Sequence, residues 1–440
     1  MNHWFITLCV NLILASDQFA RRISNLYSRA DVQFLVEKKS LRRKFRCSFL
    51  SFHQLLSGPG FIIKYARDFD CLQMSTTLEP DSLSLLKELS EAFGPSGFER
   101  EPASVFRRQG SKYADEVMHD KIGSVILKKR GTSDSPKILM AGHLDEVGFV
   151  VTGIDPLTGY LTFAPLGGWF DQVLLGHRIT IKTRKGDVIG VIAAKPPHLL
   201  TEEEKGKVVK MENMFIDVGS DSSAATLEEL GVRIGDPAAP WSPFTMVRGN
   251  RIAIGKAFDD RVGSFVGLEV LRKISEGKVE HPNTLFVGGT VQEEVGLRGA
   301  NTVANIVDAD VSFALEVDIA GDVPGLKPSE APTKLGKGPS ILTFDASMIP
   351  NQGLKKFVIE TAEAEGIPYQ LSIVTKGGTD AARFNLNKAG CPSLVVSVPT
   401  RHIHSHESIV DTRDIANTVR LVVALVKRLD EKTAKSFIQS

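Results

Sequence analysis

Histidines and acidic residues recur in this chain just past the carboxyl ends of apolar runs. Ile138-Leu139-Met140-Ala141-Gly142 leads to His143, and Leu285-Phe286-Val287 with its following glycines leads to Glu293-Glu294. Residues 311–315 lead to Glu316, and residues 395–398 run toward His404. Asp259-Asp260 follows Ile252-Ala253-Ile254 and opens a helical stretch over 262–274, where the helix dipole favours a carboxylate. In an open α/β sheet ligands bind at the carboxyl edge of the strands, so five potential ligand positions converge from distant sequence. Two imidazoles and three carboxylates suit a pair of borderline divalent ions, zinc or cobalt. Manganese is acceptable, and the histidines disfavour calcium. Two ions about 3.5–4 Å apart, bridged by one carboxylate, lower the pKa of a shared water and polarise a scissile carbonyl. That water also needs a base. Consecutive residues in extended chain point to opposite sides, so Glu293 and Glu294 divide labour, one as ligand and the other as proton acceptor. Asp145, two residues after His143, falls on the same side if the strand continues and is placed to orient that imidazole.

The elements that must position these groups alternate in type from Lys121 onward, which predicts an α/β layer with a largely buried sheet. Strands are expected at 124–127, 137–141, 284–291, 311–315, 340–344, 369–374 and 393–398, and helices after Asp260, Leu297, Gly353, Thr379 and Asp411. A further helix is expected around Leu83, Leu85, Leu86 and Leu89, with Asp81 and Ser82 at its start. Residues 153–248 break the rhythm: period-two runs at 177–183 and 187–194 flank Arg184-Lys185-Gly186 and predict a hairpin in an inserted β module. The catalytic domain is therefore expected to be discontinuous, over 82–152 and 249–432. Within the insert, His177 and His198 read as structural, and Trp169 and Phe170, after Gly167-Gly168, fit assembly or packing equally.

Residues 1–73 lack this alternation and carry the basic run Lys38-Lys39-Ser40-Leu41-Arg42-Arg43-Lys44. They read as an appendage: a weak secretory signal, an organelle transit segment, or sequence upstream of a true start at Met74. The 440 residues carry a formal net charge of +1, which offers no broad footprint for nucleic acid or an anionic membrane. Three of the four cysteines, Cys9, Cys47 and Cys71, lie in the appendage. Cys391 alone builds neither a disulfide framework nor a cysteine zinc site, so a reducing, cytoplasmic setting is expected, with organelle targeting by 1–73 left open. The apolar stretch over 4–15 is interrupted by Asn11 and falls short of the roughly 20 residues of a spanning helix.

Four strings carry a family resemblance: Ala141-Gly142-His143-Leu144-Asp145-Glu146-Val147-Gly148, Ala257-Phe258-Asp259-Asp260-Arg261, Gln292-Glu293-Glu294-Val295-Gly296 and Ile403-His404-Ser405, with Gly377-Gly378-Thr379-Asp380 between the last two. In this order they resemble the tetrahedral (TET) dinuclear metalloaminopeptidases. These are glutamyl and leucyl aminopeptidases that are also labelled cellulase M-like or endoglucanase M-like. The likeness spans about 82–428. It implies an α/β fold, a mixed sheet flanked by helices (zinc-peptidase-like), with an inserted β-barrel domain used in assembly. It also implies two divalent ions per subunit, short peptide substrates and a tetrahedral dodecamer built from dimers. By the same resemblance His143 ligates one ion, Asp259 bridges, Glu294 and His404 complete the two coordination spheres, and Glu293 is the base.

One position departs from the family pattern. An Asp usually stands six residues before the Asp of an Asp-x-Pro-Gly string; here the string is Asp322-Val323-Pro324-Gly325 and six back is Glu316. The longer arm keeps the ligand chemistry, and Asp318 is its rival. Gly377, Gly378, Thr379 and Asp380 are a strand-to-helix turn whose glycines also allow close approach of a peptide, so they are expected to bind substrate. Competing functions are glycoside hydrolysis, which uses a carboxylate pair without metal, a metal-dependent deacylase of N-acyl amino acids, and a scaffold without catalysis. The presence of Glu293 argues against the last.

Overall fold

The computed structural model describes residues 77–438; the expected appendage over 1–73 and Met74 lie outside them. Two helices, α1 (Pro80–Glu91) and α2 (Arg100–Gly110), precede three strands, β1 (Glu116–His119), β2 (Val125–Arg130) and β3 (Lys137–His143). Six strands then close a barrel: β4 (Gly148–Ile154), β5 (Leu161–Leu166), β6 (Arg178–Thr183), β7 (Gly186–Ala193), β8 (Phe215–Asp217) and β9 (Pro237–Pro240). A single turn of helix, α3 (Glu202–Lys205), lies between β7 and β8. The chain returns to the main sheet through β10 (Thr245–Val247), β11 (Ile252–Gly255), α4 (Phe258–Glu276), β12 (Thr284–Thr290), α5 (Arg298–Val307) and β13 (Val311–Ile319). It ends with β14 (Ser340–Asp345), α6 (Gln352–Ala364), β15 (Gln370–Val374), α7 (Ala381–Asn385), β16 (Ser393–Arg401), β17 (Ser408–Asp411), α8 (Thr412–Arg428) and α9 (Glu431–Ser436).

The main sheet runs β1-β2-β12-β3-β13-β16-β17-β11-β10, with β14 and β15 branching from β16. Its centre, β12-β3-β13-β16, is parallel and its flanks are largely antiparallel. Period-two geometry sends alternate residues of these central strands into two cores. On one face Ile138, Met140, Val287, Phe313, Leu315 and Val396 pack with α1, α4 and α8. On the other Leu139, Ala141, Phe286, Ala314 and Val395 pack with α5 and α7. Covered on both sides, these strands read as continuous apolar runs. Helix α4 lies directly on β3 and β13: a Cβ on Gly142 would stand 2.4 Å from the Ser264 nitrogen, and one on Gly263 would stand 2.0 Å from the Leu315 oxygen.

The barrel encloses its own core of Phe149, Val151, Leu161, Ile179, Ile181, Ile192 and Ile216. Its hairpin β6–β7 turns at the expected Arg184-Lys185. The barrel starts earlier than expected. Its first strand opens at Gly148, not at 153, because only four residues separate it from the end of β3 and its apolar composition continues that of the sheet.

Candidate metal centre

Five segments at the carboxyl edge of the sheet bring the candidate ligands and the candidate base together. β3 ends on His143, which is in register with Thr290 at the end of β12, so Glu293 and Glu294 follow at the same level. Glu316 lies inside β13 beside Ser397 of β16, and His404 follows the end of β16. Asp259 sits at the start of α4 with non-helical backbone angles, φ −84° and ψ 103°, which turn it off the helix. Several non-glycine residues in these loops hold left-handed backbone angles: Ala257, Gln292, Leu297, His402 and His404. Such strain persists only where the surroundings enforce it.

His143 Nε2 lies 3.1 Å from Asp259 Oδ1 and 3.8 Å from Glu293 Oε2. His404 Nε2 lies 3.4 Å from the other oxygen, Asp259 Oδ2, and 3.8 Å from Glu294 Oε2. Ligand atoms of three sets come within 4.8 Å of one another and could each hold an ion: His143 with Asp259 and Glu316, His143 with Glu293 and Glu294, and Asp259 with Glu294 and His404. Asp318 belongs to none of these sets; its carboxylate accepts a hydrogen bond from Ser340 Oγ at 2.7 Å. His406 is buried against His177, whereas His402 is exposed.

The electrostatics call for a cation. Burial pushes Glu293 well above the usual carboxylate range, with Glu316, Asp380 and Glu294 adding to the rise. Burial and Asp259 push Glu294 up to about 8, and burial with Asp260 raises Glu316. Burial opposes a charged His404, yet its hydrogen bond to Asp259 and the charge of Glu294 lift it to about 10. Burial likewise opposes a charged His143, but Asp145 and Asp259 hold it well above normal. Crowded carboxylates thus capture protons on the imidazoles, a role that a divalent ion fills directly. Glu294 Oε1 is buried without a hydrogen-bond partner among the described residues. The donor set fits metal.

Asp145 supports this cluster more broadly than its spacing suggested. Its carbonyl accepts from His143 Nδ1 at 3.1 Å, and its carboxylate accepts from the backbone N–H groups of Glu293 (2.9 Å) and Glu294 (3.1 Å) and from Ser96 Oγ (2.7 Å). Glu99 accepts from the Gln292 N–H at 3.0 Å. The Gly168 carbonyl, from the barrel, accepts from His404 Nδ1 at 2.6 Å. Sequence reasoning missed Ser96, Glu99 and Gly168. The string Pro95-Ser96-Gly97-Phe98-Glu99 reads only as a turn, and a backbone carbonyl has no sequence signature.

The cluster opens into a cleft of about 430 Å³, whose wall includes Gly377, Gly378, Thr379, Val317, Ile319, Leu342 and Lys376. Asp380, expected with its neighbours to touch substrate, is fully buried behind that wall and accepts from Thr290 Oγ1 at 2.5 Å. As the last residue before α7 it points into the layer under the turn. A larger hollow of about 840 Å³ beside α2, reached by Lys182 and Pro237 of the barrel, holds none of the metal-competent sets.

The family model of the M42 glutamyl aminopeptidases matches residues 123–421. The chain belongs to this family. Among curated M42 relatives, it is 34% identical to the lysyl aminopeptidase of Pyrococcus furiosus, over 78% of this chain and 96% of that one. It is 32% identical to the glutamyl aminopeptidase of Lactococcus lactis, over 80% of this chain and 97% of that one. The crystal structure of a TET aminopeptidase from a marine-sediment thaumarchaeote superposes with a TM-score of 0.80 at 55% identity, covering 81% of this chain and 99% of the other. The TET1 peptidase of Pyrococcus horikoshii, described as assembling into a tetrahedron or a large octahedral shell, gives a TM-score of 0.71 at 31% identity, over 79% of this chain and all (100%) of that one. This M42 protein is therefore an aminopeptidase, a hydrolase of peptide bonds, and its membership in a metallopeptidase family brings a requirement for divalent metal ions. No described helix is long and apolar enough to cross a membrane.

Proposed function

We propose that this chain removes the amino-terminal residue of short peptides at a two-ion centre. His143, Asp259 and Glu316 would hold one ion, Asp259, Glu294 and His404 would hold the other, and Glu293 would act as general base. The observation that carries the reading is the bridging posture of Asp259, whose two carboxylate oxygens each face a different imidazole. The ions, when bound, supply Lewis acidity and a water of lowered pKa. Glu293 would accept a proton from the attacking water on its carboxylate and return it to the departing amine, as general acid–base catalysis requires. Asp145 fixes His143 through its carbonyl and anchors the backbone of Glu293 and Glu294. The carboxylate-rich wall suits a substrate ammonium, and the apolar and glycine-lined side of the cleft receives the residue behind it. Zinc or cobalt fits the mixed imidazole–carboxylate set, with manganese as a third choice.

The domain division that goes with this reading is the expected one, a discontinuous catalytic unit around an assembly module, with the module's start moved to Gly148 and the return to the main sheet at Thr245. We place the protein in the cytoplasm as a homo-oligomer, a tetrahedral dodecamer built from dimers. Leu371 and Ile373, exposed on strand β15, which among the described strands pairs with β14 alone, supply apolar surface of the kind that assembly covers. The test is hydrolysis of a panel of aminoacyl p-nitroanilides by the purified chain, before chelation, after it, and after return of zinc, cobalt or manganese. Loss and metal-dependent recovery are expected. Cleavage of acylamino anilides alone, or a β-glucanase activity that survives chelation, would overturn the reading.

A further inference from the structure

The two imidazoles of the cluster are held by different modules. A neutral imidazole donates from one nitrogen and accepts at the other. A carbonyl oxygen only accepts, so the nitrogen beside it carries the proton. His143 donates from Nδ1 to Asp145, within the catalytic sheet. His404 donates from Nδ1 to Gly168, within the barrel module, so that Nε2, which faces Asp259 and Glu294, is the nitrogen whose proton a metal ion would replace. We propose that the barrel segment Gly167-Gly168-Trp169 is a positioning element of the metal centre, which fixes the tautomer and direction of His404 and so sets the affinity of one ion. The inference rests on His404 being a metal ligand, as proposed above.

Three observations place the segment tightly against the site. Gly167 has a φ of +85°, and a Cβ there would stand 2.8 Å from Val147 Cγ1 and 3.1 Å from Glu294 Oε2, so only glycine lets the strand end pass beside this ligand. A Cβ on Gly168 would stand 3.3 Å from His404 Nδ1, closer than the imidazole tolerates without moving. Trp169 ties the segment down: its Nε1 donates to the Gly148 carbonyl at 3.0 Å, and its ring stacks on Phe149 at 4.8 Å. The same ring touches His406, 5.4 Å away between centroids, and His406 stacks on His177 of the barrel at 4.1 Å. The loop carrying His404 is thus held by the barrel module at the ligand itself and at His406, two residues on. Groups that orient a ligating histidine typically change metal affinity by about 10- to 100-fold when lost.

The experiment is zinc titration of the full chain against a chromophoric chelator, resolving the two binding steps, for wild type, Gly168→Ala, Trp169→Ala, Trp169→Phe and His404→Ala. His404→Ala should abolish one step. Gly168→Ala and Trp169→Ala should weaken that same step by about 10-fold or more and leave the other unchanged, and Trp169→Phe, which keeps the stacking on Phe149, should recover most of the loss. A general loss of structure would weaken both steps together. Gly168 does not hold a left-handed angle, so its alanine variant tests the idea even if Trp169→Ala does not fold. Two wild-type steps in Gly168→Ala would overturn the inference while His404→Ala still loses one. Two wild-type steps in His404→Ala would overturn both the inference and the ligand assignment beneath it.

Discussion

At the scale of single residues, the proposed division of labour between Glu293 and Glu294 rests on what each faces. Glu293 approaches His143, and Glu294 lies beside His404 and Asp259 with one buried oxygen unpartnered among the described residues. Glu293→Gln keeps shape and removes the proton acceptor; kcat should fall by about 10²- to 10⁴-fold with two zinc ions still bound, measured by anilide hydrolysis and metal analysis. Asp145→Asn replaces an acceptor oxygen by a donor opposite backbone N–H groups that need an acceptor. It should lower kcat and zinc affinity together, and an unchanged affinity would separate Asp145 from the ligands. The residue types were legible because His143, Glu294 and His404 each end or follow an apolar strand, where a polar side chain has to serve the edge of the sheet. The groups that hold them were legible only in part, Asp145 through its spacing from His143. Gly168 acts through its carbonyl, Asp145 acts mostly on backbone N–H groups, and Asp380 looked accessible only because the depth of its turn is a tertiary property.

Among the elements, the strands read most clearly where both faces are covered. β3, β12 and β16 are built on the short apolar runs 138–141, 285–287 and 394–396. β13 extends four residues beyond its expected end at 315, because Glu316 and Asp318 continue it with side chains that belong to the site. β9, Pro237-Ala238-Ala239-Pro240, carries the signature of a breaker but closes the barrel between β4 and β6; only the closure, not the local sequence, makes it a strand. Helix starts were better marked. Asp411 caps α8, accepting from the Arg413 N–H at 3.0 Å, and its carboxylate also binds the guanidinium groups of Arg413 and Arg251. Burial alone would raise this carboxyl, but Arg413 and Arg251 hold it below the usual range. Its folded pKa therefore lies below its unfolded one, so the stabilisation is complete above about pH 4 and is lost as pH falls through the folded value. Asp411→Asn keeps a cap and strands two cations; it should cost about 1–3 kcal/mol at pH 7 by urea unfolding, with the gap to wild type closing below about pH 4. A gap independent of pH would assign the loss to packing.

For the whole molecule, the centre is a concentration of buried negative charge where the sheet, α4 and the barrel meet. Asp145, Asp259, Glu293, Glu294 and Glu316 lie around it, and the fold accommodates them only by raising several pKa values and charging both imidazoles. A divalent ion that binds the folded chain and not the unfolded one stabilises it by RT ln(1 + [L]/Kd), about 2.7 kcal/mol at 100 Kd. Because the proposed ligands come from five segments separated by most of the chain, this stabilisation acts on the global fold rather than on one loop. Chelation at neutral pH should therefore lower Tm by roughly 3 °C or more, at fixed protein concentration so that assembly is held constant, and returning zinc or cobalt should restore it. His404→Ala should give a smaller metal-dependent shift, since one set of ligands remains. An unchanged Tm on full removal of metal would mean that protons on His143 and His404 already satisfy the cluster and that metal binding contributes to catalysis without contributing to the fold.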